Sequence, residues 1–537
     1  MTLPADPRAG NHQPPALEVA CGKAYDRAME LHLVRTLAAN VEGVDGFLVD
    51  VEVSRGEAKA GSGRTSMVGL PDAAVREAID RITPALMHSG LIVRPGDHLV
   101  VNLAPADRRK EGAAFDLAIA LGLAASLPDN RLTLPADAMF LAELALDGRL
   151  RPVRGVLPCA LAARAAGITR LIVATENGAE AAVVDGISVY SAPDLITVAK
   201  YIRSEFKDLQ PVRPDPATAP DIDAPDLSEV RGQEHAKRAL AIAAAGGHNL
   251  LMIGPPGSGK TMLARRLPGL LPPLESDEAL DVTRVHSVAG LLQNGGLIRA
   301  RPFRAPHHNV SGVGLIGGGS IPRPGEVSLA HHGVLFLDEL PEFPRPVLET
   351  LRQPLEDGHL TISRAGGRLR FPSQCMLVAA MNPCPCGYLG HPTRRCVDSR
   401  DAVHRYRSRI SGPLLDRIDL HLEVPAQRPD ILAAVAPGPS TAVIRATVIA
   451  ARARMRARQG CANARLTPKG VSAHVKLDPG TRQLLTQAVE DLGLSARAYD
   501  RILKVARTIA DLAERDAVLL EDVSEAIGYR ILDRPMG

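Results

Sequence analysis

Tryptophan is absent from this 537-residue chain, and Phe with Tyr bring the aromatic content to only 3%. Stacking of rings on nucleobases is therefore not available as a main means of grip. No run of about 18 apolar residues occurs, so no membrane span is expected. The opening "MTLPADPRAGNHQPPALEVA" lacks a charged start followed by an apolar stretch, so no secretory signal is expected either, and the expected location is the cytoplasm. A dominant charge is also missing. The 63 Lys and Arg nearly balance the 60 Asp and Glu, leaving a net charge of +3. That excludes a polyanion-coating tail and an acidic disordered chain, and confines any nucleic-acid contact to local patches. No internal repeat is visible. The seven cysteines are too few and too unevenly spread for a secreted disulfide framework. Three of them fall between Cys384 and Cys396, which points to reduced thiols or a metal site.

What is present divides the chain. At about 150 residues per domain, its length suggests roughly three domains. Residues 1–23 read as a proline-punctuated leader without fixed structure. From 24 to 205, apolar strands such as "GFLVDVEV", "HLVVNLAP" and "RLIVA" alternate with Ala-rich helices, which suits an α/β unit. Prolines among acidic residues mark 206–227 as a linker. Residues 228–430 run helix, buried strand, Gly-rich loop and helix, followed by the buried strands "GVLFLDEL" and "CMLVAAMN", the pattern of a parallel-sheet nucleotide-binding domain. Residues 431–537 turn helical and read as a small bundle.

The chemistry sits at the ends of those buried strands. Gly254, Pro255, Pro256, Gly257, Ser258, Gly259, Lys260 and Thr261 form a phosphate loop, whose glycines let backbone N–H groups curl around phosphates at a helix N-terminus. Lys260 is placed to bridge the β and γ phosphates of ATP, and Thr261 to ligate Mg²⁺. Asp338 and Glu339 close the second strand: Asp338 can hold Mg²⁺ through water, and Glu339 can orient and deprotonate the attacking water. Asn382 closes the third, where its amide can position that water or touch the γ phosphate.

These residues carry a resemblance. "GHNLLMIGPPGSGKTMLARRLPGLLPP", "RPFRAPHHNVSG", "PRPGEVSLAHHGVLFLDELPEF", "LRQPLEDG", "AMNPCPCGY" and "SGPLLDRIDLHLEVPA" resemble the magnesium-chelatase-like AAA+ ATPases of the YifB/ComM type over nearly all of the chain after the leader. The resemblance implies an AAA+ P-loop domain with a C-terminal helical lid, assembled into a homo-oligomeric ring, a hexamer, with ATP at subunit boundaries. It matches Arg417 in "LLDRID" to a trans-acting arginine finger and Arg497 in "SARAYDRIL" to the sensor arginine of the lid. The 24–205 unit resembles the proteolytic domain of Lon-type proteases, with its ribosomal S5-like fold. In that family a Ser is activated by a Lys; Ala114 and Ala160 stand at those positions here, so no peptidase activity is expected.

Two features remain open. Cys384, Cys386 and Cys396 can hold zinc if a fourth ligand is supplied by Asp398, which stands where the resembled family carries a second C-x-C pair, by His391 or by a water, or they are simply reduced structural thiols. His307 with His308, and His331 with His332, lack an acidic or thiol set at ligand spacing and read as loop-shaping residues near the ATP site. "HLTISRAGGRLRFP" reads as a hairpin around Gly366 and Gly367, with Arg364, Arg368 and Arg370 near its tip, and in a ring such a hairpin can touch DNA phosphates without regard to sequence; a solvated basic turn is the plain alternative. The basic helix "ARARMRARQ" reads as exposed lid surface. Two functions follow from the resemblance. One is an ATP-driven motor for DNA branch migration in natural transformation or recombination. The other is a chelatase-type ATPase that remodels a partner protein.

Overall fold

A strand that is apolar at every position needs cover on both faces. "VLFL" and "MLVAAM" meet that description, and both lie inside a parallel sheet. The computed structural model describes residues 32–56, 65–94, 98–207, 209–213, 224–292, 296–319, 322–364, 367–427, 438–530 and 532. The leader at 1–23 and residues 214–223 of the linker lie outside them.

The parallel sheet has five strands in the spatial order Phe303–Arg304, Val334–Leu337, Met376–Met381, Leu250–Ile253, Leu420–Glu423. Alternate side chains enter two different apolar clusters. Leu251, Ile253, Leu335, Leu337 and Ala379 pack with Phe343, Phe371, Tyr406 and Leu414. Leu250, Met252, Phe336, Val378 and Leu422 pack with Val448, Met455, Ile502 and Ile509, which come from the carboxyl-terminal helices. Those helices, Thr441–Gln459, Pro468–His474, Pro479–Leu492, Ala496–Leu512 and Leu520–Gly528, thus share one core with the sheet rather than burying a separate one as the sequence suggests. The basic helix is also less free than expected. Arg458 donates to Asp511 at 2.6 and 2.8 Å, Arg452 donates to the Ala244 carbonyl at 2.9 Å, and Arg456 pairs with Glu275.

The amino-terminal unit is a seven-stranded sheet in the order Thr65–Val68, His98–Ala104, Asp45–Gly56, His32–Glu42, Ala138–Leu141, Arg170–Ala174, Ser188–Ala192. Antiparallel pairing joins the three from His98 to Glu42, and the remaining neighbours pair in parallel. Alternation again divides the faces: Ala38, Phe140 and Ile172 face one cluster, Ala39, Met139 and Leu171 the other. Ala160, on helix Val156–Ala165, is fully buried in the second cluster, and Ala114 packs against it. The two sheets are joined by specific contacts. Val44, at the tip of the long hairpin, is buried in the core of the parallel sheet. Asp45 pairs with Arg284, and the buried Glu180 accepts from the Ser287 hydroxyl and from Leu157 N–H.

One buried carboxylate fixes the carboxyl-terminal helices to the sheet. Asp419 accepts from Asn249 N–H at 2.9 Å, pairs with Arg501, and has His248 Nδ1 at 3.5 Å. Burial alone would raise its pKa; Arg501 and His248 outweigh that and hold it far below the usual carboxylate range. A carboxylate depressed in the folded state gives stability that is complete above its unfolded value of about 3.9 and is lost progressively as pH falls from there toward its much lower folded value. Asp419→Asn should therefore cost about 2–3 kcal/mol by stranding the largely buried Arg501. The expected reading is a lower thermal midpoint at pH 7, with the gap to the parent narrowing as pH falls below about 4. Equal midpoints at pH 7 would show that this carboxylate does not hold the helices.

Candidate functional site

The phosphate loop leaves strand Leu250–Ile253 and enters helix Lys260–Leu270. Its shape demands glycine. A Cβ on Gly254 would lie 2.1 Å from the Val424 carbonyl oxygen, and Gly257 and Gly259 have φ of +77° and +91°. Lys260 Nζ donates to the carbonyls of Gly254 at 2.7 Å and Pro255 at 3.0 Å, and to Asn382 Oδ1 at 3.3 Å. Burial depresses the pKa of this ammonium, with Asp338 and Glu339 pulling it back up. The Ser258 hydroxyl is buried without a partner. A buried cation folded onto its own loop and an unsatisfied hydroxyl are the groups a triphosphate would engage, so the loop fits one.

Parallel pairing delivers the other strand ends to the same place. Thr261 Oγ1 donates to Asp338 Oδ2 at 2.7 Å, and the Glu339 N–H donates to Asp338 Oδ1 at 2.9 Å. A hydroxyl and a carboxylate in contact beside a phosphate loop are the donors that a phosphate-bound Mg²⁺ needs. Glu339 sits at φ +53°, with its carboxylate more than half exposed and 3.3 Å from His308 Nδ1. Sequence reading treats His308 only as a loop residue; the structure puts it against Glu339. Two further neighbours belong to no motif in the sequence. Gln233 donates from Nε2 to the Ser258 carbonyl at 2.9 Å, and Tyr406 faces the Asn382 backbone with its phenol pushed up to about 12 by burial. The only hint of Gln233 was a Gly-Gln step at the start of helix Glu234–Gly246.

Arg417 and Arg497 lie together elsewhere. Both line a cavity of about 740 Å³ with Arg301, Arg465, Arg501 and Lys504, and none of residues 254–261 lines it. Arg417 is largely buried and pairs with Glu356. The hairpin forms as strands His359–Arg364 and Gly367–Pro372, with Arg364 opposite Gly367. Gly366 lies outside the described residues, as does the Arg364 side chain. Arg368 and Arg370 are exposed, and Arg370 Nη2 lies 3.1 Å from His359 Nδ1.

The cysteines converge as well. Sγ of Cys384 is 3.4 Å from that of Cys386 and 3.6 Å from that of Cys396, and Cys386 and Cys396 are 3.6 Å apart. Asp398 Oδ2 lies 3.8 Å from Cys396 Sγ and accepts from Cys386 N–H at 2.8 Å. Zn–S bonds of about 2.3 Å set tetrahedral edges of about 3.8 Å, so three thiolates and Asp398 fit a zinc ion. His391 is not in this set; its Nδ1 accepts from Thr393 and Arg394 N–H groups. Asp281 does approach His331 and His332, with ligand atoms within 4.8 Å, an acidic partner their spacing does not suggest. However, Gln374 N–H donates to His331 Nδ1 at 3.0 Å, which leaves the ring proton on Nε2. Burial takes the His331 pKa down to about 2, so its ring stays neutral.

The cysteine loop and the phosphate loop touch. Gly387 has φ +83°, and a Cβ there would come within 2.6 Å of the Pro256 ring. Gly387→Ala should cost about 1–2 kcal/mol from its backbone alone and should displace Pro256. The expected outcome is a lower melting temperature together with weaker binding of a fluorescent ATP analogue. Parental values for both would show that the two loops are independent.

Comparison with known proteins agrees with this architecture. Family models match in three segments: residues 49–177 match subunit ChlI of Mg-chelatase, 226–432 match magnesium chelatase subunit ChlI, and 438–530 match the ChlI C-terminal segment. The chain is 45% identical over 497 residues to the competence protein ComM of Haemophilus influenzae, covering 92% of this chain and 96% of that protein. It is 43% identical over 510 residues to the uncharacterized protein YifB of Escherichia coli, covering 94% and 98%. Similarity to the magnesium-chelatase 38 kDa subunit of Rhodobacter capsulatus is 27% over 174 residues, 29% of this chain and 50% of that subunit. No helix among the described residues is long and apolar enough to cross a membrane. The chain belongs to the YifB/ComM family of magnesium-chelatase-like AAA+ proteins.

Proposed function

We propose that this chain is an ATP-hydrolysing ring motor of the cytoplasm that drives branch migration of DNA during transformation or recombination. The observation that carries it is the meeting of Lys260, Thr261, Asp338 and Asn382 beside a phosphate loop while Arg417 and Arg497 line a separate cavity. For the two arginines to meet a γ phosphate, that phosphate must belong to another copy, which is the logic of a closed ring, with six copies as the family resemblance implies. In this reading Lys260 and the loop N–H groups bind the phosphates, and Thr261 and Asp338 hold Mg²⁺. The metal would neutralise charge on the phosphate oxygens. Glu339 orients and deprotonates water, Asn382 positions it, and the partner's arginines stabilise the charge that develops. An arginine supplied this way is typically worth about 10³ to 10⁵ in rate. The exposed Arg368 and Arg370, with Arg364, would meet DNA phosphates. The name of the similar competence protein favours DNA as the polymer moved.

Turnover should rise when a four-stranded DNA junction is added at low salt. Glu339→Gln should keep nucleotide binding yet lose at least about a hundredfold in kcat. Failure of DNA both to bind and to stimulate would favour a chelatase-type action on a protein partner, and unchanged turnover in Glu339→Gln would remove that residue from the chemistry.

We also assign zinc to Cys384, Cys386, Cys396 and Asp398. Elemental analysis of the purified chain should find about one zinc per chain, and Cys396→Ala should lose it. A chain that neither carries nor takes up zinc would show the cluster to be reduced thiols.

A further inference from the structure

We infer that Glu356 is a positioning residue that stores Arg417 within its own chain and yields it when a neighbouring copy presents a nucleotide. This rests on the reading of Arg417 as the side chain donated across the subunit boundary.

Arg417 Nη2 pairs with Glu356 Oε2, Nη1 donates to the Pro413 carbonyl at 2.7 Å, and Nε is buried without a hydrogen-bond partner. The pair is lopsided: the arginine side chain is 9% exposed and the glutamate 53%. The arginine is thus the desolvated member, and the Glu356 carboxylate offsets its charge. A guanidinium recognises phosphate through its fork of donors, and here Glu356 occupies one prong. Arg417 cannot present that fork to a γ phosphate without leaving Glu356.

The backbone of Arg417 is anchored while its side chain is exchangeable. Its carbonyl accepts from Asn249 Nδ2 at 2.9 Å, and Asn249 Oδ1 accepts from Leu377 N–H at 2.8 Å, so the backbone stays with the sheet. What is released on exchange is the carboxylate. Glu356 lies on helix Arg352–Asp357, which passes through Gly358 at φ +69° directly into the hairpin His359–Pro372. A second cavity, of about 540 Å³, is lined by Glu356 and Arg417 together with Leu360, Thr361 and Ile362 of the first hairpin strand. The same two residues line the arginine-rich cavity. The ion pair therefore stands between the cavity that would receive a neighbour's nucleotide and the root of the basic hairpin. Exchanging its arginine for a phosphate frees the helix that carries the hairpin, which links nucleotide occupancy next door to hairpin position.

The test is steady-state ATP hydrolysis by the full chain without DNA. Glu356→Gln keeps the size of the side chain and removes its charge. Loss of a half-exposed ion pair should raise kcat about two- to fivefold with KM little changed. The double variant with Arg417→Ala should fall to the level of Arg417→Ala alone, because the gain passes through that guanidinium. A purely structural role would not raise kcat. Glu356→Asp, which retains charge but shortens reach, should give a smaller rise and serves as the readout if Glu356→Gln melts early. A parental or lowered kcat in a folded variant, or a gain that survives in the double variant, overturns the inference. If Arg417→Ala alone hydrolyses at the parental rate, the shared-site reading fails instead.

Discussion

Parallel registration of three strands constrains everything else in this molecule. Leu251 and Leu337 both pair with Ala379 and Ile253 pairs with Met381, so Gly254 and Asn382 leave their strands level with each other, Asp338 leaves two residues earlier, and all three emerge at one edge. The Thr261 to Asp338 hydrogen bond and the Lys260 to Asn382 contact are the consequence. A slip of one residue would turn every side chain of a strand to the opposite face and separate these groups. Burial on both faces forbids that slip. Each strand carries apolar side chains into two clusters, and one of those clusters continues through the carboxyl-terminal helices.

That shared core explains why distant parts of the chain bear on the site. The cysteine loop begins two residues after Asn382 and lays Gly387 on the phosphate-loop proline, so any ion bound by its thiolates would stiffen a wall of the nucleotide site. The long amino-terminal hairpin inserts Val44 into the cluster on the other face of the parallel sheet, and a Cβ on Gly43 would lie 3.4 Å from the Arg370 carbonyl oxygen, so the basic hairpin rests against the amino-terminal unit.

The sequence made some of this legible and hid the rest, for physical reasons. The phosphate loop, the two buried strands and their terminal Asp338, Glu339 and Asn382 were readable because backbone geometry dictates their residue types. Glycines with positive φ, unbroken apolar runs and polar ends leave a local signature. The paired strands His359–Arg364 and Gly367–Pro372 were readable for the same reason, through the Gly-Gly step in the sequence. Contacts between segments far apart in sequence left no such trace. His308 beside Glu339, Glu356 beside Arg417, and Gln233 under Ser258 are each set by packing of separate elements. The carboxyl-terminal arginines misled in the opposite direction, since a run of basic residues on a helix looks solvated until Asp511 and Glu275 are placed opposite it. Asp398 lay between these cases: the family resemblance admitted it as a fourth ligand, but only folding brought its carboxylate to the thiols while leaving His391 aside.

The central claim is that one chemical site is built by two copies, and mixing defective copies tests it most directly. Lys260→Ala cannot engage phosphate, and Arg417→Ala cannot donate across the boundary, so each alone should be nearly inactive. Mixed in equal amounts and allowed to reassemble, they should regain about a quarter of the parental hydrolysis rate, because random neighbours in a closed ring pair an intact loop with an intact arginine that often. Silence on mixing, or full activity of Arg417→Ala as a separate monomer, would contradict the account.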